Sequence, residues 1–443
     1  MNLLEAVINA FRLPELRNKL LFTGSLLVIY RLFANITIPG SNTAALTQLF
    51  KNQPLLGLLD LFSGGGLSTF SIVGMAVNPY INASIIMQLM TVVSERIKEI
   101  SKEGQMGQRR IQRWTRYLTV ALALGQTYGV TIAFQNTSPA ILSSNLDWFG
   151  RVSIMITMTA GTILAMWLGE LITEFGIGNG ISLIIFTGII ARAPQTIGST
   201  VLGHTGGAGF ADLLPFIILV VLAVVAIAFV IEVQQAVRKI PIQSAQRLSG
   251  GRTVQGRQST LPLKVNTAGV IPIIFAISIM TFPTILAGYF SGQTGTWYGK
   301  AASWVQSNFV PDGPNLTSTI SYNLLYFLFI FGFTYFYTSV VFVVEDVADN
   351  LRRYSSFIPG IRPGRPTAEY LAYVMNRITF AGATFLGVIT VLLPILGSRL
   401  TSIPRNQMYL GGTALLIIVG VALDTMKQLQ TQLVMRQYRG FIR

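Results

Sequence analysis

Helix breakers fall at matching places in the two halves of this chain. The second long apolar segment carries Gly74 and Pro79, and the seventh carries Gly269 and Pro272. Each is the second of five such segments in its half. A helix crossing lipid must satisfy its own backbone groups, so a break at depth is tolerated only where protein or water covers it. Breaks at corresponding positions of two membrane repeats mark the working site of transport proteins. The pattern points to a bundle of two related halves with the working site on the seam between them.

Composition agrees. Of the 443 residues, 51% are hydrophobic and 11% charged, against a charged share of about 25% in soluble domains. The apolar runs approach the ~20 residues that cross about 30 Å of hydrocarbon. They lack the short alternating pattern of an outer-membrane barrel. Ten segments qualify, at 20–38, 75–93, 115–135, 152–173, 179–197, 213–233, 267–288, 320–344, 374–396 and 408–427. The expected fold is an all-α polytopic membrane protein with ten transmembrane helices. Residues 1–205 would form an N-terminal half holding spans 1–5, and residues 206–443 a C-terminal half holding spans 6–10. An odd number of spans per half turns the second half over, so the halves are inverted. No cleavable signal peptide is evident, and residues 1–19 read as an interfacial helix broken at Pro14.

Lysine and arginine set the orientation. With the N-terminus inside, only Lys51, Arg151, Arg192, Lys300, Arg399 and Arg405 fall on the outer side, and Arg31 lies within the first span. The other basic residues gather in the inner segments, so both termini are assigned to the cytosol.

Residues 60–74 do not fit a simple bundle. The stretch runs from Asp60 through Phe62, Ser63, Gly64, Gly65, Leu67 and Phe70 to Gly74, too short and too rich in glycine and serine to span. It sits on the outer side, just before the second span. Apolar residues recur between the small ones, so it reads as a re-entrant half-helix tucked into the bundle rather than a surface loop.

Chemistry-bearing clusters are missing. There are no cysteines and one histidine, His204, in a glycine-rich stretch, which leaves no thiol chemistry and no cysteine metal site. Ion-coupled transporters place carboxylates in mid-span. Here Glu170, Glu174, Glu232, Glu345, Asp346 and Asp424 lie near span ends, and Arg31 either snorkels or faces the bundle. Gly176-Ile177-Gly178-Asn179-Gly180 joins two membrane spans rather than a strand and a helix, so it reads as a tight turn, not a nucleotide cradle. The chain is read as a non-enzyme without metal or cofactor.

What remains is polar marking on the two interrupted spans and charge in the inner loops. Asn78, Asn82, Ser84 and Gln88 mark the second span, and Asn266, Thr267, Ser278 and Thr281 the seventh. Ordinary interhelical hydrogen bonding explains any one of them, but both spans marked together favour a functional seam. The inner loops at about 234–266 and 345–373 are long, with Arg247, Arg252 and Arg257 in one and Arg362 and Arg365 in the other. Topology retention explains a single charge. A Pro/Gly-fixed arginine tip at 359–366 suits an acidic or polyanionic partner.

At these residues the chain resembles the SecY family, the central subunits of bacterial-type protein-conducting channels. The matching motifs are Phe62-Ser63-Gly64-Gly65, the run from Asn78 to Ile86, Gly176 to Ser182, Leu261 to Asn266, Gly269 to Pro272, Pro359 to Gly364, and Gly411-Gly412-Thr413. Any one is weak, but together they occur in family order from about residue 12 to 430.

The resemblance implies ten helices in two halves that open like a clamshell, with a hinge near 195–211 and residues 60–74 as a plug. It implies a lateral gate between spans two and seven, marked by Asn82, Gln88, Asn266 and Thr281, with Gln88 and Asn266 hydrogen-bonded across it. It implies a hydrophobic pore ring of Val77, Ile81, Ile185, Ile274, Ser278 and Ile417, in which Val77 is smaller than isoleucine and Ser278 is polar. Implied partners are SecE-like and SecG-like small membrane subunits, a ribosome or a SecA-like ATPase at the cytosolic loops, signal sequences, nascent chains and lipid. The expected function is passage of unfolded secretory polypeptides across the membrane, with sideways release of signal sequences and transmembrane helices. An inverted-repeat secondary transporter is the alternative, and a scaffold without a conduit is a third reading. The membrane expected is a bacterial plasma membrane, with a thylakoid as the alternative.

Overall fold

The computed structural model describes residues 11–42, 45–46, 50, 60, 63–135, 141–142, 147–204, 210–244, 247–249, 252–254, 258–290, 296–309, 316–401 and 411–440. Long helices lie at the expected segments. In the first half they are α1 (Pro14–Ala34), α2 (Asn78–Val93), α4 (Gln105–Gln135), α5 (Trp148–Phe175) and α6 (Gly180–His204), with the short α3 (Glu95–Lys102) after α2. In the second they are α7 (Phe210–Gln235), α8 (Ile271–Phe290), α10 (Leu316–Val341), α12 (Arg365–Thr401) and α13 (Gly412–Gly440). Shorter α9 (Trp297–Asn308) and α11 (Val344–Arg353) flank α10. Among the described residues, six of these helical stretches are long and apolar enough to cross a membrane, and residues 180–194 and 271–284 form shorter apolar helices. The chain is an all-α membrane protein.

Pro79 and Pro272 open helices rather than interrupt them. Pro79 and Pro272 are each the second residue of their helix, and Gly74 and Gly269 lie in the turns before. Pro14 likewise starts α1, directly after helical residues 11–12 and a bend at Leu13, so the chain breaks there as expected; residues 1–10 lie outside the described residues. The reason is local: a first-turn N–H has no intrahelical acceptor, so proline forfeits nothing there, and its fixed φ suits the helix. The sequence symmetry survives in altered form, as two helices that begin alike.

Contacts between helices follow the two halves. Within the first half α2 packs on α4, α4 on α5, α5 on α6, and α1 on both α5 and α6. Within the second, α8 packs on α10, α10 on α12, and α7 on α12 and α13. Two seams join them. On one, α8 meets α2 and α4, and on the other, α6 meets α7 and α13. A main core along these seams gathers Ile81, Ile85, Ile184, Ile189, Phe275, Met280 and Leu416. Buried threonines such as Thr119, Thr127, Thr131, Thr334 and Thr390 donate to the carbonyl four residues back, so their hydroxyls need no water. The turn at 176–180 is tight, as expected, and the Ile177 N–H donates to Thr23 Oγ1 at 3.2 Å.

The long inner loops hold strands that the hydropathy reading did not find. β1 (Val237–Ser244) pairs antiparallel with β4 (Gln258–Lys264). β2 (Arg247–Ser249) and β3 (Arg252–Val254) pair between them. β5 (Ser356–Phe357), from the second loop, adds to the free edge of β1, giving the order β4-β1-β5. Ile240, Leu263, Ile358, Leu371 and Met375 form a small core beneath this sheet. The two basic loops are thus joined through one sheet, which is an addition to the helical fold.

Candidate functional site

All six expected ring residues are buried. Val77, Ile81, Ile185, Ile274 and Ile417 belong to one apolar cluster, and Ser278 is buried on α8. They come from the turn before α2 and from α2, α6, α8 and α13, so both halves contribute. Ile81, Ile185 and Ile274 form the floor of a cavity of 710 Å³ whose walls carry Arg109, Arg113 and Glu174. A second cavity of 560 Å³ lies beside it, between Asn266 and Lys427, and shares Asn179, Ser182, Ile271 and Tyr337 with the first. The arrangement is a polar, charged funnel that ends on aliphatic side chains.

Residues 63–74 are buried or half-buried, in keeping with a re-entrant segment. Asp60 and Ser63 are helical, but residues 64–70 run as successive turns rather than continuing as a half-helix. Gly64 and Gly65 take φ of +64° and +96°, which ends helical winding. The segment is stitched to the chain before it, with Ile38 N donating to Phe70 O at 2.9 Å and Ile72 N to Ile36 O at 3.0 Å. Leu67 and Phe70 pack with Ile38, Leu46, Phe134 and Met158 in a cluster separate from the main core. A Cβ on Gly64 would lie 2.5 Å from Gly188 Cα, so the segment rests backbone to backbone on α6. Phe62 lies outside the described residues.

Charge surrounds this segment, and the sequence reading gave that charge no role. Asp60 is fully buried. Its Oδ1 accepts from Ser63 Oγ at 3.0 Å, Leu67 N at 3.0 Å and Ser68 N at 2.8 Å. Its Oδ2 pairs with Arg192, which also donates to Ser68 Oγ. Arg192, one of the outer basic residues, lies within α6. Arg31 faces the bundle, where its Nη1 donates to Gly64 O at 2.5 Å. Tyr30 OH donates to Ser63 O at 3.3 Å. The signal was present, since an acid heads the glycine-rich stretch and two arginines sit inside apolar segments, where a charge must find a partner.

The expected gate residues lie on α2 (Asn82 and Gln88), on α8 (Thr281) and in the turn before α8 (Asn266), but the expected bond between Gln88 and Asn266 is not made. Asn82 and Thr281 are buried. Gln88 Nε2 donates to Ser84 Oγ at 3.3 Å within α2. Asn266 Nδ2 donates to Gly269 O at 3.0 Å, closing the turn that precedes α8. Each amide nitrogen is taken by a neighbour three or four residues away, where a local acceptor outcompetes a partner on another helix, while Gln88 Oε1 and Asn266 Oδ1 are buried without a partner. Thr281 donates to Ser278 O at 3.0 Å in the same way.

Of the docking arginines, Arg362 and Arg365 are exposed. Gly360 and Gly364 bracket Arg362 at φ +83° and +103°, and Thr367 Oγ1 donates to Arg362 O at 2.8 Å, so the tip is fixed. Arg365 also pairs with Glu369 at 3.3 Å. Arg247 and Arg252 lie on the β2–β3 ribbon, and Arg257 lies outside the described residues.

Known proteins share this architecture. A family model described as SecY matches residues 71–426. The protein translocase subunit SecY of Streptomyces scabiei is 43% identical, over 100% of both chains. That of Thermotoga maritima is 40% identical, over 99% of this chain and 98% of that one. A solved structure described as that of a protein conducting channel superposes with a TM-score of 0.61 at 18% identity, covering 94% of this chain and 92% of the other. Sec61 in the canine ribosome-channel complex gives a TM-score of 0.58 at 17% identity, with the same coverage. At such identity these structures speak for the fold alone, whereas the bacterial relatives span nearly the whole sequence and the family model most of it. The chain belongs to the SecY family.

Proposed function

We propose that this chain is the pore subunit of a Sec-type protein translocase, a channel rather than an enzyme. It passes unfolded polypeptides across the membrane and releases signal sequences and transmembrane helices sideways. The observation that carries this reading is the meeting of ring residues from both halves at the floor of a charged funnel, beside the α2–α8 seam. The transporter alternative gains no support. The buried carboxylate at Asp60 is committed to backbone and arginine rather than open to a coupling ion.

In this reading residues 1–205 and 206–443 are the two clamshell halves. The α2–α8 seam is the lateral gate, the α6–α7 side is the hinge, and residues 60–74 are the plug. Val77, Ile81, Ile185, Ile274, Ser278 and Ile417 form the deformable collar. Escape through the gate follows hydrophobicity: apolar residues gain about 0.3–0.6 kcal/mol each at the membrane centre, and a charge costs about 2.5–3.5. The β-ribbon and the Arg362 tip form one basic cytosolic platform for a ribosome or a SecA-like motor. A ribosome-bound channel is among the similar folds. SecE-like and SecG-like subunits complete the assembly in a bacterial plasma membrane, with both termini cytosolic.

The lack of native cysteine makes a direct test simple. A single cysteine at Ile274, and separately at the lipid-exposed Val224, is offered to a stalled secretory chain carrying one cysteine. Disulfide formation at 274 and not at 224 is expected. Equal or absent coupling at 274 would sink the pore assignment. Arg362→Glu in the same assembly should weaken ribosome or motor binding more at low salt than at high salt. An effect independent of salt would deny a charge-driven contact.

A further inference from the structure

We infer that Asp60 and Arg192 are a positioning pair that seats the plug, with Arg31 as a second hold; the inference rests on reading residues 60–74 as a plug. Burying this carboxylate contributes little to stability by itself, because a well-packed apolar residue often does as well or better in place of a buried ion pair. What the charge provides is a discrete seated state. Asp60 is divided between two bodies. Its Oδ1 accepts from Ser63, Leu67 and Ser68, all within the segment, while Oδ2 reaches Arg192 on α6. When the segment leaves, Asp60 goes with it, and Arg192 and Arg31 stay on α6 and α1.

Solvent then decides how firmly the catch holds. In the closed site Asp60 is fully buried and Arg192 is 26% exposed, so separating them parts two charges where their attraction is stronger than in water. Once a passing chain has let water in, both charges are solvated and the same separation costs far less. The seat is therefore tight when the channel is idle and loose when it is in use. The apolar contacts of the segment, to Ile38, Phe134 and Met158, come from the first half, as do Arg31 and Arg192. The catch is set by one half alone, so parting the halves at the α2–α8 seam does not by itself pull it open.

The test is resting ion conductance of the full chain, reconstituted with its small membrane partners, as Arg192→Met, Arg192→Lys and Asp60→Ala, beside a deletion of residues 63–70. Loss of one partner of the buried pair should shift the seated-to-unseated ratio by at least about 100-fold, seen as leak in Arg192→Met and Asp60→Ala. Arg192→Lys, which keeps the charge, should recover most of the seal. A purely steric role for Arg192 would give the methionine and lysine variants the same conductance, and that result overturns the inference. If the deletion leaks and Arg192→Met does not, the plug stands and the catch is wrong. If the deletion does not leak either, the plug reading fails and takes the catch with it. Should Arg192→Met not assemble, Arg31→Met carries the same arms at the Gly64 carbonyl.

Discussion

At the proposed collar, Val77, Ile81, Ile185, Ile274 and Ile417 meet through aliphatic surface and belong to the main core. At the re-entrant segment, Asp60, Ser63, Gly64 and Ser68 are held by hydrogen bonds and an ion pair, and Leu67 and Phe70 belong to a separate cluster. The collar draws on both halves, and the segment is seated by the first. The difference bears on how each barrier yields. Aliphatic contacts lose energy gradually as they part, so a collar can widen around a chain and close again. A buried ion pair with directed hydrogen bonds is lost in one step, so a plug is either seated or released.

Four substitutions sharpen this contrast, from the largest expected effect to the smallest. Asp60→Ala should cost about 3–5 kcal/mol of seating, because Arg192 is left without its carboxylate; resting conductance reports it, and a sealed variant would place the plug's hold elsewhere. Ile274→Ala at the collar should cost about 2–5 kcal/mol of stability through the cavity it leaves. Its conductance should rise only when the plug is also removed. Thermal unfolding in detergent and paired conductance traces check both parts, and a leak with the plug present would mean the collar is the sole seal. Gly64→Ala should cost about 1–3 kcal/mol by overpacking against Gly188, with leak but little change in unfolding temperature. Equal loss in both would show a folding role instead. Gln88→Leu should shift gate opening by less than about 0.6 kcal/mol, the average for polar pairs in membranes, because its amide bonds within α2. Photocrosslinking of a signal peptide at the gate measures it, and a large gain in crosslinking would restore the bond across the seam that this structure lacks.

The part of the fold that was legible in the sequence is the part encoded locally. Apolar run length placed the long helices, and Pro79 and Pro272 marked α2 and α8, though as helix starts rather than interior breaks. The ring residues came from the family resemblance, since nothing about an isoleucine such as Ile185 separates a pore position from ordinary packing. Hidden features rest on distant partners. Ile240 and Ile242 alternate inward on β1, but that signal is short, and the strand forms because 258–264 and 356–357 return to pair with it. Asp60 and Arg192 lie far apart in the chain, and only the packing of the segment on α6 reveals that they belong together. The Gln88–Asn266 bond was expected from the family resemblance. Local acceptors at Ser84 and Gly269 took their N–H groups first, and Gln88 Oε1 and Asn266 Oδ1 are left buried without a partner.

The central claim is a polypeptide-wide path closed in series by a collar and a plug. Its most direct test is ion conductance in planar bilayers of the intact protein beside a form lacking residues 60–74. The account predicts a silent intact channel and a deletion that leaks in bursts, with a further, steady rise when Ile81 and Ile274 are also changed to glycine. Silence in all three forms would contradict it, because removing both barriers from a real conduit must let ions through.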